Sequence, residues 1–156
     1  MIKETFSSAE TKKLAGSLAK QFLKISSRKK RRGALVFALA GNLGSGKTTF
    51  TQGFLRALGV KKKITSPTFV LIKNYELRRR NCGNYKRIYH VDCYRIHGAR
   101  VLLKLGLKKI LEDSRNIVLV EWPEKIKSIL PKNSIWIKFE HGEREKVRGI
   151  KFLLSR

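Results

Sequence analysis

Gly41-Asn42-Leu43-Gly44-Ser45-Gly46-Lys47-Thr48 has the G-x-x-x-x-G-K-[ST] spacing of a phosphate-binding loop. Its glycines leave backbone N–H groups free to close around phosphate oxygens, where a side chain would block the approach. Gly44, Ser45, Gly46, Lys47, Thr48 and Thr49 are therefore the expected nucleotide-binding residues. Lys47 would reach the terminal phosphates as a point charge, and the Thr48 hydroxyl would ligate Mg²⁺. The alternative is a glycine-rich surface turn, which does not need Lys-Thr at that offset.

A nucleotide site also needs carboxylates for metal and water, and this chain has few. No acidic residue lies between Glu10 and Glu76, and Asp occurs only at Asp92 and Asp113. Glu121 directly follows the apolar run Ile117-Val118-Leu119-Val120, the pattern of an acid at the end of a core strand. It is a candidate catalytic residue and, with Thr48, a candidate metal ligand; the alternative is a strand-end cap of the next turn. Asp92, alone among apolar neighbours in His90-Val91-Asp92-Cys93, is the second catalytic candidate. Its alternative is an ion pair with Arg95 or another base. Which of the two acids is nearer the metal stays open. Thr65-Ser66-Pro67-Thr68 offers hydroxyls where switch segments sense a terminal phosphate, or is an ordinary turn. Trp122, beside Glu121, is expected half-exposed at the nucleotide.

The elements that must position these residues follow from pattern. Ala34 to Ala40 reads as a strand buried on both faces. Lys47 to Leu58 reads as a helix with Phe50, Phe54, Leu55 and Leu58 at helical spacing and Gly59 as its stop. Strand, loop and helix thus come in the order that aims a helix N-terminus at phosphate. Ser7-Ser8-Ala9-Glu10 reads as a capping box opening a helix that carries Leu14, Leu18 and Phe22, with Ala15 and Leu23 beside them. Thr68 to Leu77 and Tyr85 to Cys93 read as two antiparallel strands around a polar tip at Arg78–Asn84. Val101 to Leu111 is a short helix interrupted by Gly106, and Glu124 to Leu130 one or two helical turns. Ser134 to Glu140 and Val147 to Leu154 are two last strands around His141-Gly142. The expected class is a three-layer α/β, P-loop NTPase-like fold: a mainly parallel core sheet with an antiparallel hairpin and C-terminal strands.

Composition bounds the rest. The 156 residues suit one domain, 1–156, and 42% apolar content makes it globular. No apolar run has the length of a membrane span and Met1 to Thr5 lacks a signal-peptide core. Cys82 and Cys93 are expected as reduced thiols of a cytoplasmic protein. The net charge of +25 implies attraction to a polyanion, most simply RNA, or else a solvated basic surface. The basic loops are Arg28–Arg32, Lys61–Lys63 and Arg78–Arg80.

Four successive segments resemble the signatures of the TsaE (YjeE) family, the bacterial P-loop ATPases of tRNA threonylcarbamoyladenosine synthesis. They are Gly41–Phe50, Ser66-Pro67-Thr68-Phe69, Tyr89–Arg95 and Val120-Glu121-Trp122-Pro123-Glu124, collinear within about Ser8 to Pro131. The resemblance implies ATP and ADP binding, Mg²⁺, slow hydrolysis, and work with a TsaB–TsaD heterodimer on tRNA. It also implies the Mg²⁺ role of Thr48, a catalytic or metal role for Glu121, and functional roles for Asp92 and Trp122. The chain departs from the family in three ways. Asn42 stands where the family usually has Asp, Gly98–Leu103 replaces an acidic segment, and the charge is far more basic.

Two other classes fit parts of the sequence. A small-molecule kinase would share Gly44-x-Gly46-Lys47-Thr48 but usually needs an acid soon after the loop helix, and residues 47–75 contain none. A non-catalytic RNA-binding module would use the basic loops but leaves the phosphate loop unexplained.

Overall fold

A computed structural model describes residues 2–26, 31–77, 82–143 and 147–153. Its frame is a seven-stranded sheet. The strands are β1 (Ile2–Thr5), β2 (Leu35–Gly41), β3 (Ile72–Glu76), β4 (Arg87–Asp92), β5 (Asn116–Glu121), β6 (Ile135–His141) and β7 (Arg148–Leu153). They lie in the order β1-β7-β6-β2-β5-β4-β3. β2 is flanked by β5 and β6, both parallel to it, and β4 continues the parallel set beside β5. β3 pairs antiparallel with β4, and β7 pairs antiparallel with both β6 and β1.

Each central strand is buried on both faces, as its unbroken apolar run requires. Leu35, Phe37 and Leu39 join Ile117 and Leu119 in one core, under α1 (Ser8–Ser26) and α2 (Lys47–Ala57). Val36 and Ala38 join Val118 and Val120 in the other, under α3 (Arg100–Lys104), α4 (Leu107–Glu112) and a 3-10 helix (Pro123–Ile129). Two cores on opposite faces of one sheet give the three layers expected, and each fully buried Leu or Phe contributes roughly 1.5–3 kcal/mol.

The helix that carries the loop is fixed by close packing. A Cβ at Gly53 would overlap the Lys12 backbone, and one at Gly16 would lie 3.2 Å from Ala57 Cβ, so α1 and α2 touch almost backbone to backbone. Phe37 meets Phe54 of α2 and Phe22 of α1 edge-on, with centroids 4.9 and 5.1 Å apart. The start of α1 is capped as read from sequence: Ser7 Oγ accepts from Glu10 N at 3.1 Å, and Glu10 Oε2 accepts from Phe6 N at 2.9 Å.

Three expectations need correction. The strand placed at Thr68–Leu77 begins only at Ile72, because Val70 N and Leu71 N both turn back to Pro67 O. Phe69 and Val70, both within the stretch read as that strand, are instead 82% and 56% exposed in this turn. The return strand read as Tyr85–Cys93 is Arg87–Asp92. Ile2–Thr5, assigned to no element from sequence, is an edge strand on β7. Residues 28–30 of the first basic run, and residues 78–81, with the Arg78–Arg80 run and most of the hairpin tip, lie outside the described residues. Cys82 and Cys93 are buried thiols, not joined in a disulfide.

Candidate functional site

The carboxyl ends of β2, β4 and β5 converge on one cleft, the place where open parallel sheets hold ligands. It measures about 410 Å³ and is walled by Gly44, Gly46, Lys47, Thr48 and Thr49 on one side. Ser66, Thr68 and Asp92 face them, with Glu121 and Trp122 at the remaining edge. The described structure therefore brings Asp92, Glu121 and Trp122 to the phosphate loop, from positions more than forty residues away in sequence.

The loop leaves β2 at Gly41, where φ is +146° and a Cβ would overlap Phe139 O. Gly46 precedes α2 with φ +101°, a left-handed turn that only glycine enters without strain. Ser45 is fully buried, and its hydroxyl has no hydrogen-bond partner among the described residues. Lys47, only 4% exposed, donates to Gly41 O at 2.7 Å and Asn42 O at 2.8 Å. Its ammonium sits 4.2 Å from the Trp122 ring centroid, a cation–π contact. Burial lowers the Lys47 pKa, opposed by the charges of Glu121, Glu124 and Asp92. An anion in the cleft would repair this: the lysine is held over its own loop carbonyls, short of a partner with full negative charge.

The two acids are bonded differently. Glu121, 3% exposed, accepts from Thr48 Oγ1 at 3.0 Å through Oε2 and from His90 Nε2 at 2.8 Å through Oε1. It bonds across to the loop helix rather than capping the turn after β5. Asp92, also 3% exposed, accepts from Ser66 Oγ at 2.6 Å and Thr68 Oγ1 at 2.7 Å through Oδ2. Its Oδ1 accepts from Tyr94 N at 2.9 Å. Arg95 stacks on Phe69 instead, 4.4 Å from the ring centroid. Asp92 thus ties the Ser66–Thr68 segment to the cleft, and that bonding pulls Thr68–Val70 out of the strand.

Trp122 is half-buried, stacks against Tyr94 at 5.2 Å, and holds a left-handed backbone, φ +58°. Leu71 does the same at φ +62°. Such conformations cost on the order of 1 kcal/mol or more in a non-glycine residue and collect at functional sites. Trp122 lines this cleft, and the Leu71 carbonyl accepts from Asp92 N at 3.0 Å.

Two residues at the loop had no sequence signal. His141 Nε2 donates to Leu43 O at 3.0 Å, and Arg148 Nε donates to Gly44 O at 3.2 Å. They reach the loop from β6 and β7 and grip its outer carbonyls. Arg148 also lines a second cavity, about 430 Å³, with Ser7, Ser8, Thr11, Gly44, Gly46 and Thr49. The two cavities share the loop, so phosphates on it could extend into either.

The residues fit Mg²⁺ of the kind that nucleotides carry. Among the described residues no three His, Cys, Asp or Glu side chains cluster into a metal cage. One hydroxyl and one carboxylate 3.0 Å apart, Thr48 and Glu121, would be the sparse protein share of such a site, the other ligands then coming from phosphates and water.

A family model for the threonylcarbamoyl adenosine biosynthesis protein TsaE matches residues 5–150. The chain is similar to the tRNA threonylcarbamoyladenosine biosynthesis protein TsaE of Haemophilus influenzae, 34% identical over 69% of this chain and 64% of that protein. It is 36% identical to TsaE of Bacillus subtilis over 70% of this chain and 66% of the relative. For TsaE of Rickettsia conorii the identity is 35% over 90% and 71%. The matched segment thus spans about two thirds of the length of the first two of these relatives. The crystal structure of Bacillus subtilis YdiB superposes with a TM-score of 0.74 at 29% identity, covering 100% of this chain and 86% of that one.

Proposed function

The chain belongs to the TsaE family of threonylcarbamoyl adenosine biosynthesis proteins, and from that membership we propose that it is a Mg²⁺-dependent P-loop ATPase. It binds ATP, hydrolyses it slowly, and acts with a TsaB–TsaD heterodimer in threonylcarbamoylation of the tRNA adenosine next to the anticodon. The observation that carries the reading is the 3.0 Å contact between Thr48 Oγ1 and Glu121 Oε2 at the foot of the cleft. It joins the loop's metal-binding hydroxyl to a buried strand-end carboxylate, the pair that nucleotide hydrolysis requires.

Each residue then has a task. Gly44, Ser45 and Gly46 offer N–H groups to phosphate oxygens, with Thr49 in the first turn of α2. Lys47 leaves Gly41 O and Asn42 O for the phosphates. Thr48 and Glu121 would hold Mg²⁺, which would supply charge neutralisation on the phosphates. Glu121 Oε2 is also the cleft's candidate base for the attacking water. Asp92 acts on the same reaction through the Ser66 and Thr68 hydroxyls it holds. Trp122 packs over the phosphate end. The kinase reading lacks a substrate-binding acid, since among the described residues the acids lining the cleft are Asp92 and Glu121, both already engaged.

Titration of a fluorescent ADP analogue tests the reading. Lys47→Ala and Thr48→Ala should each weaken Mg²⁺–nucleotide binding, by removing the phosphate charge and a metal ligand. Unchanged affinity in both would remove the phosphate-loop assignment.

A further inference from the structure

We propose that His90 is a positioning residue for Glu121, its Nε2–H fixing the carboxylate so that Oε2 stays turned to Thr48 and the cleft. The proposal rests on the hydrolysis reading above and adds a residue that the phosphate-loop motif does not contain.

His90 occupies an inward position of β4, paired in register with Leu119, while Asp92 pairs with Glu121. On that face it stands beside Ile88, Ile117 and Leu119, all fully buried, with Lys73 opposite it on β3 and Asp92 two residues on. The imidazole is itself fully buried, and its Nδ1 has no hydrogen-bond partner among the described residues. An orphaned buried polar atom is a cost to folding that a leucine in the same place would not incur. Folding alone therefore gives no reason for histidine here. What the ring supplies is the 2.8 Å bond to Glu121 Oε1.

That bond differs in kind from the one on the other oxygen. Thr48 lies in the cleft, and its hydroxyl is the group that a phosphate-bound metal would compete for. Its hold on Oε2 is exchangeable. His90 is fully buried and does not line the cleft. Its hold on Oε1 persists whatever Thr48 does. A glutamate has three rotatable side-chain bonds, and an oxygen that must meet water or metal gains from having them locked in advance by a buried partner.

Two variants and a double-mutant cycle decide it. His90→Leu removes the donor and the orphan together but leaves Glu121 Oε1 buried without that partner, so it should fold with a lowered melting temperature and still bind the ADP analogue normally. Its ATP turnover should fall about 10- to 100-fold, the usual effect of losing a partner behind a functional ligand, with the loss in kcat and not in KM. His90→Gln places an amide N–H near the position of Nε2 and should recover most of that loss. In a Glu121→Gln background, His90→Leu should lower kcat no further, because both changes act on one group. Parent-like kcat in His90→Leu would overturn the proposal. So would a kcat loss matched by loss of ADP binding and melting temperature that His90→Gln does not restore, since that is a packing defect. A parent chain that neither binds nor hydrolyses ATP overturns the hydrolysis reading itself, a failure distinct from either of these.

Discussion

Replacing Glu121 by Gln separates function from folding at a single buried site. The carboxylate accepts two hydrogen bonds, from His90 and from Thr48. Glutamine keeps an oxygen for His90 and turns an amide N–H₂ toward Thr48 Oγ1, which can accept. Both contacts survive in neutral form, and a neutral bond is worth about half a charge-assisted one, so the exchange costs on the order of 1 kcal/mol per bond. Against this stands the cost of keeping a carboxylate that is only 3% exposed, which for a buried ion is several kcal/mol before its partners offset it. The two nearly cancel. Glu121→Gln should stay within about 2 kcal/mol of the parent, or within roughly 8 °C in melting temperature for a chain of this size, and on the stable side if desolvation dominates. Its ATP hydrolysis should fall at least ~10²-fold, as loss of a general base or metal partner does. Thermal melts monitored by circular dichroism and a phosphate-release assay measure the two quantities on the same preparation. A melting temperature lower by much more than that range would make Glu121 a structural residue. Parent-like hydrolysis would remove it from the chemistry.

Trp122 lines the cleft while Trp136 lies on β6 away from it, so ADP should change the emission of the parent and of Trp136→Phe but not that of Trp122→Phe; the reverse pattern would displace Trp122 from the site. Burial pushes the Cys93 thiol up to about 12 from an ordinary 9.0, so native Cys93 should resist thiol reagents at mildly alkaline pH. Because the folded state holds this proton more tightly, the associated stability is intact below 9.0 and is lost as pH rises toward 12. Urea midpoints over that window should therefore fall more steeply for the parent than for Cys93→Ala, and equal slopes would refute the assignment. The exposed lysines Lys61, Lys62 and Lys63 lie past the far end of α2, so neutralising them should spare basal ATP hydrolysis. It should also reduce the log–log salt slope of tRNA binding by up to about three contacts, each worth roughly 0.7 to 0.9; a flat salt response in filter binding would mean these charges only solvate the surface.

The sequence made the loop, its strand and its helix legible because their signals are local: spaced glycines, one apolar run, one helical period. Scarcity helped with the acids, since so few carboxylates stand in this chain that Asp92 and Glu121 were conspicuous. The rest depends on contacts between distant residues. Ile2–Thr5 reads Ile-Lys-Glu-Thr, with no apolar alternation, and becomes a strand only by pairing with residues 148–151. Phe69 and Val70 have strong strand preference, yet the hydroxyls of Ser66 and Thr68 bond to Asp92, more than twenty residues on, and fold that stretch into a turn. His141 and Arg148 reach the loop from about a hundred residues away, and nothing near them in sequence marks it. His90 left a trace, a polar residue at an inward position of an apolar strand, but its meaning needed Glu121 beside it.

The most direct measurement is ATP hydrolysis by the purified chain, alone and with a TsaB–TsaD heterodimer and tRNA. The account predicts slow, Mg²⁺-dependent phosphate release by the chain alone, lost in Lys47→Ala and raised when heterodimer and tRNA are added. No nucleotide binding and no phosphate release in any combination would contradict it.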